Sequence, residues 1–194
     1  MGTITDTIKY SLEQSRQELD MFMSDPGTLP AMEAMALMLS EAIASGNKVI
    51  CCGNGGSLCD ATHFAEELTG RFRENRRPFP AMAINDPAYM TCTGNDFSFD
   101  TVFSRWVEAF GQPGDVLLAI STSGNSRNVT AAAEQARRSG MKVIALASGN
   151  GGALEKLADI AVLAPAAPHS DRVQEIHIKV IHMVIEAMEQ ILEP

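Results

Sequence analysis

The sequence predicts an α/β fold, a doubly wound and mostly parallel five-stranded sheet with helices on both faces. Three observations lead there. Five short apolar runs recur along the chain, helical segments separate them, and several runs end in glycine- or hydroxyl-rich turns. Strands joined through helices imply right-handed crossovers and a parallel sheet covered on both sides.

Taken in order, residues 4–24 and 30–45 read as helices ahead of the first strand. KVICC (48–52) is an apolar run before glycines, a buried strand. Residues 57–70 are predicted helical, 80–84 a strand and 98–110 helical. DVLLAIS (115–121) is a strand, 126–139 a helix, KVIALA (142–147) a strand and 153–157 a short helix. DIAVLA (159–164) closes the sheet, and 170–192 is a long helix. No linker or low-complexity segment divides the chain, so one domain is expected over 1–194, with N-terminal helices over 1–46 and the βαβ core and last helix over 47–194. GNGG follows a KVI run twice, at 53–56 and 149–152, but the flanking residues differ and glycine after a strand is ordinary turn chemistry.

The last helix carries two apolar stripes: Val173, Ile176, Val180, Val184, Ala187 and Ile191, then Ile178, Ile181, Ile185, Met188 and Leu192. A helix apolar on two sides has more to bury than one sheet face. A central core helix is one reading. Subunit packing is favoured, because this helix and the N-terminal helices lie outside the βαβ repeat.

Composition narrows the function classes. The chain has 194 residues, 45% hydrophobic, with net charge −9. The apolar content argues against disorder. The acidic balance argues against wrapping nucleic acid. No stretch approaches the roughly 18 apolar residues of a membrane span. The N-terminus shows no apolar signal core, and Asp6 stands where myristoylation wants Ser or Thr. Cys51, Cys52, Cys59 and Cys92 lack CxxC spacing and read as buried small apolar residues rather than a disulfide framework. A cytoplasmic location is expected.

Ligands of α/β sheets sit beyond the carboxyl ends of the strands. Two loops there stand out. Gly53-Asn54-Gly55-Gly56-Ser57 precedes a helix, and Ser57-x-x-Asp60 fits a capping box starting that helix at Ser57. Glycines permit close backbone approach, and a helix N-terminus offers free N–H groups. Leu58 breaks the GxGxxG dinucleotide pattern, and no GK[ST] follows. Alone the loop reads as a tight turn or as an anion cradle. The second loop, Ser121-Thr122-Ser123-Gly124-Asn125-Ser126, carries four hydroxyls, which suit a phosphomonoester without Lys or Arg. It also fits a solvated turn with an N-cap serine.

His63 and Glu67 lie four apart on one helix face, a surface pair or a zinc or proton-transfer site. His182 sits among apolar residues of the last helix, as a core or interface histidine commonly does. Gln174 and His182 are separated by about 12 Å of rise and about 80° of rotation, a stretch for one metal unless another subunit supplies one of them. Arg71, Arg73, Arg76 and Arg77 read as a solvated loop with one substrate-facing arginine, in preference to a nucleic-acid patch.

Together, CGNGGS (52–57), HFAEELTGR (63–71), GND (94–96), STSGNS (121–126) and QEIHIKVIH (174–182) resemble the phosphoheptose isomerases. These are sugar-isomerase (SIS) domain enzymes that convert sedoheptulose 7-phosphate to D-glycero-D-manno-heptose 7-phosphate. The resemblance spans about residues 30–190. It implies the SIS fold, a homotetramer packed through the terminal helices with active sites at subunit interfaces, and the first step of ADP- or GDP-heptose synthesis for lipopolysaccharide. By matching motif, His63, Glu67, Gln174 and His182 would hold one zinc ion per subunit. Asn54, Gly55, Gly56, Ser57, Glu67, Asn95, Asp96 and Gln174 would contact the sugar, and Ser121, Thr122, Ser123 and Ser126 its phosphate. Glu67 and His182 would be the acid/base pair, with Arg71 and Asp171 as weaker candidates. Leu58 departs from relatives that carry a polar residue there. The redox-neutral reaction needs no NAD or flavin. Sequence leaves open whether Glu67 is base, zinc ligand or both, since a metal-bound carboxylate is a weaker base. Two rival readings share the fold: a non-catalytic scaffold binding a protein such as a replication initiator, and a sugar-phosphate-sensing module.

Overall fold

The structure, a computed structural model, describes residues 2–193. Helices α1 (Ile4–Ser24) and α2 (Thr28–Ala44) lead into β1 (Val49–Gly53) and α3 (Gly56–Thr69). Next come β2 (Ala81–Ala83), α4 (Pro87–Asp96), a 3-10 turn (Phe99–Thr101) and α5 (Val102–Phe110). The chain finishes through β3 (Val116–Ile120), α6 (Arg127–Arg138), β4 (Lys142–Ser148), α7 (Gly152–Glu155), β5 (Ile160–Ala164) and α8 (Ser170–Leu192). Thr3 opens α1 with a reciprocal capping box to Asp6.

The five strands pair in the order β2-β1-β3-β4-β5, every pair parallel. Their side chains alternate between two cores. Val49, Cys51, Val116, Leu118 and Ile120 face α2, α3 and α8, whereas Ile50, Cys52, Leu117 and Ala119 face α5, α6 and α7. The strand order reverses between β1 and β3, and Gly53 stands level with Ile120 in their register. The two singled-out loops therefore leave adjacent strand ends at the topological switch point, the usual place for a ligand in such sheets.

Four expectations change. Helix α4 falls in a stretch for which the sequence predicts no element. Its Thr and Gly residues are weak helix formers, but Asp86 accepts a hydrogen bond from the Tyr89 amide (2.6 Å) and Pro87 occupies the first turn. The predicted helix over 98–110 begins as a 3-10 turn. The Ser57–Asp60 capping box does not form: α3 starts at Gly56, capped by Gly55 at φ +54°, and Ser57 is buried inside the first turn. Of the cysteines, Cys51 and Cys52 are buried, with burial pushing the Cys52 thiol up to about 12, but Cys59 and Cys92 are exposed.

On α8, Val173, Ile176, Val180 and Val184 are buried, as are Ile181, Ile185 and Met188. Met183 and Ile191 remain exposed, as do Ile4, Ile8 and Leu12 on α1 and Leu29 and Leu37 on α2. Among the described residues no helix is long and apolar enough to cross a membrane.

Candidate active site

Helix α3 starts at the switch point and packs against α8. Phe64 and Leu68 turn inward and are fully buried, which presents His63 and Glu67 to α8. There His63 Nε2 lies 3.0 Å from His182 Nε2 and 3.5 Å from Glu67 Oε1. One donor atom from each of His63, Glu67 and His182 falls within 4.8 Å of the others. The Phe72 ring, from the loop after α3, covers His182 at 5.9 Å between centroids. All three polar residues are half-buried.

The donor set suits a divalent cation. The Glu66 carboxylate lies 2.9 Å from His63 Nδ1, which holds that nitrogen protonated and directs the Nε2 lone pair into the cluster. Two imidazole Nε2 atoms at 3.0 Å repel unless a proton or a cation lies between them. His182 reaches the α3 pair within one chain. Gln174, two turns earlier on α8, packs on the first loop: a Cβ built on Gly56 would fall 2.5 Å from Gln174 Nε2, so a larger residue there would displace this amide.

Beside them stands the hydroxyl loop. Ser121 is buried at the end of β3, and its Oγ donates to Ser126 Oγ at 3.1 Å, while Ser126 caps α6. Thr122 is half-buried, its carbonyl held by Ser148 Oγ at 2.7 Å, and Ser123 is exposed, its Oγ accepting from the Asn125 amide. The second GNGG segment supports this loop rather than repeating the first: the Leu154 amide donates to the Gly124 carbonyl at 2.9 Å, and the Ala153 amide to Asn125 Oδ1.

Asn54 is engaged inside the protein. Its amide and that of buried Asn128 exchange two hydrogen bonds of 2.8 Å, tying the glycine loop to the first turn of α6. Asn128 lacked any sequence signal, whereas Glu66 stands at the i, i+3 spacing from His63 that puts both on one helix face. Asp60, one turn before His63, is buried with Oδ2 lacking a partner, and burial pushes its carboxyl up to about 6 against the pull of His63.

The remaining candidates lie apart from this cluster in their contacts. Asn95 and Asp96 end α4 in the open, where the Asn95 amide donates to Asp96 at 2.8 Å and holds its carboxyl low. Arg71 is exposed and donates to Asn75, and Asp171 pairs with Arg172 in the first turn of α8. The arginine loop is not simply solvated: Arg73, Arg76 and Arg77 pair with Glu186, Glu189 and Glu193 along α8.

The chain is similar to known proteins over nearly its whole length. The SIS domain family matches residues 26–148, and a second SIS domain profile matches 109–191. The phosphoheptose isomerase of Enterobacter sp. (strain 638) is 52% identical over 185 residues, 95% of this chain and 96% of that protein. The phosphoheptose isomerase structures from Francisella tularensis and Neisseria gonorrhoeae superpose with TM-scores of 0.91 and 0.90 at 35% and 34% identity, over 97% of this chain and 100% of theirs. With its parallel sheet, its two loops at the switch point and this likeness over nearly the whole chain, the protein belongs to the phosphoheptose isomerase family of SIS-domain proteins.

Proposed function

We infer that the protein is an aldose–ketose isomerase that converts sedoheptulose 7-phosphate to D-glycero-D-manno-heptose 7-phosphate through an enediolate. The carrying observation is the His63–Glu67–His182 cluster on α3 and α8, with α3 and the hydroxyl loop following adjacent strand ends at the switch point. The hydroxyls of Ser121, Thr122, Ser123 and Ser126, with the free N–H groups of α6, receive the phosphate. The glycine loop of Asn54, Gly55, Gly56 and Ser57, with Gln174, borders the sugar chain, and Asn95 and Asp96 at the end of α4 contribute further contacts to it.

In the ketose, Glu67 takes a proton from C1 and returns it to C2, while His182 moves a proton between the two oxygens. Both groups start within reach of one point, and general acid/base help of this kind is worth about 10²–10⁴ in rate. His63, Glu67, Gln174 and His182 would hold one zinc ion per subunit, and zinc when bound supplies a Lewis acid for the carbonyl. No hydride carrier enters, because the reaction is redox-neutral.

The chain acts as one SIS domain in a cytoplasmic homotetramer. Exposed Ile4, Ile8, Leu12, Leu29, Leu37, Met183 and Ile191 on α1, α2 and α8 support the self-association. The product feeds ADP- or GDP-heptose synthesis.

Turnover in D2O tests the proton-transfer reading. Deuterium at C2 of the aldose product, seen by NMR, is the expected result. Turnover with no deuterium incorporated, together with near-parental kcat for Glu67→Gln, would point to direct hydride movement and would remove Glu67 as the base.

A further inference from the structure

The loop after α3 makes one contact set unlike its other ion pairs. The Arg76 side chain is only 3% exposed and lies over the buried Phe79 ring at 4.1 Å. Its Nε donates to Glu189 of α8 at 2.6 Å. The remaining guanidinium nitrogens donate to backbone carbonyls, Glu67 at 2.7 Å and Leu68 at 2.9 Å. These carbonyls belong to the last turn of α3, where no intrahelical donor remains and a cation opposes the negative end of the helix.

The placement of both ends matters. Glu67 offers its carbonyl to Arg76 and its carboxylate to His63 and His182. Glu189 lies seven residues past His182, two helical turns and the same face of α8. A single planar group thus joins the backbone of one member of the cluster to the helix face of another.

We propose that Arg76 is a positioning residue for the isomerase, and that its clamp on Glu67, Leu68 and Glu189 sets the spacing of α3 and α8 at which Glu67, His63 and His182 share one proton-transfer and metal-binding point. This rests on the isomerase reading above. Lysine cannot replace it, because an ammonium on a flexible stem does not serve a carboxylate and two carbonyls in one plane.

The test compares Arg76→Lys, Arg76→Met and Glu189→Gln with Arg77→Ala, which removes the neighbouring exposed pair with Glu193. Each full-length tetramer is assayed well below its melting temperature for kcat and KM with sedoheptulose 7-phosphate. Zinc affinity is read separately by competition with a chelating dye. Expected is a fall of about tenfold or more in kcat and in zinc affinity for Arg76→Lys, with KM within about twofold. Glu189→Gln should lose less, and Arg77→Ala nothing. A lowered melting temperature with kcat and zinc affinity both within twofold of the parent would overturn the proposal and leave Arg76 a stabilising contact only. If Arg76→Met does not fold, Arg76→Lys and Glu189→Gln carry the comparison. Inactive parent protein would instead count against the isomerase reading, and the zinc titration would still judge the clamp.

Discussion

The Nε2 atoms of His63 and His182 stand 3.0 Å apart although 119 residues separate them in the chain. Their meeting is a product of helix packing: α3 leaves β1, α8 follows β5, and both cover the same face of the sheet. Buried Phe64 and Leu68 turn His63 and Glu67 towards α8, where buried Ile181 and Ile185 flank His182 in the helix. The cluster therefore depends on an apolar interface that is independent of its chemistry, which makes the site residues separable from stability by mutation.

Glu67→Gln keeps the size of the side chain and removes its basicity. The kcat should fall by at least about 10², with KM for the sugar phosphate nearly unchanged because the phosphate loop leaves a different strand. Steady-state kinetics on the purified variant make the check. Near-parental kcat would take Glu67 out of the proton transfer.

Asn128→Ala leaves the Asn54 amide without its two partners and unties the glycine loop from α6. A buried donor and acceptor left unpaired cost about 1–3 kcal/mol. Urea unfolding should show a loss in that range, and KM should rise several-fold while kcat changes less.

Asp115 is buried at the opposite end of the sheet, where it accepts from the Lys48 amide (3.0 Å), the Gln112 amide (2.9 Å) and the Lys48 ammonium. Asp115→Ala should destabilise by about 1–3 kcal/mol, because it leaves the part-buried Lys48 and Gln112 amides without their acceptor. The kcat should hold below the new melting temperature. A parallel loss of kcat would mean that the two ends of the sheet are coupled.

His177 donates from Nε2 to the Ala147 carbonyl at 3.0 Å, and its Nδ1 is buried without a partner. Burial lowers its pKa from 6.5 to about 4. Between those values the unfolded chain binds the extra proton, so stability is full above the unfolded pKa and falls as pH drops towards 4, by about 3 kcal/mol in all. Asp60, raised from 3.8 to about 6, acts with the opposite sign over an overlapping window. The difference between parent and His177→Gln in urea unfolding from pH 7 to 4.5 isolates the histidine, and the variant should lose less stability over that range.

Much of the frame was legible in advance. Five strands announced themselves as apolar runs, and the helices between them followed from periodicity. Helix α4 did not, because Thr91, Thr93 and Gly94 carry little helical preference and only Asp86-Pro87 marks its start. The glycine loop misled through Ser57: its hydroxyl residue has the spacing of a cap, but Gly55, with its positive φ, takes the cap position two residues earlier. His63 and Glu67 were visible as an i, i+4 pair, and His182 only as a polar residue in an apolar helix. Glu66 stands at local i, i+3 spacing from His63, but what brings His182, Asn128 and Arg76 to their partners is tertiary packing between α3, α6, α8 and their loops, and no local pattern encodes it.

The most direct test of the central claim is turnover of sedoheptulose 7-phosphate by the purified protein, first stripped with a chelator and then resupplied with zinc. The expected result is D-glycero-D-manno-heptose 7-phosphate formed by the zinc-restored protein and little or none by the stripped one. An intact oligomer with no turnover in either state would contradict the isomerase, and equal turnover in both would contradict the metal at His63, Glu67, Gln174 and His182.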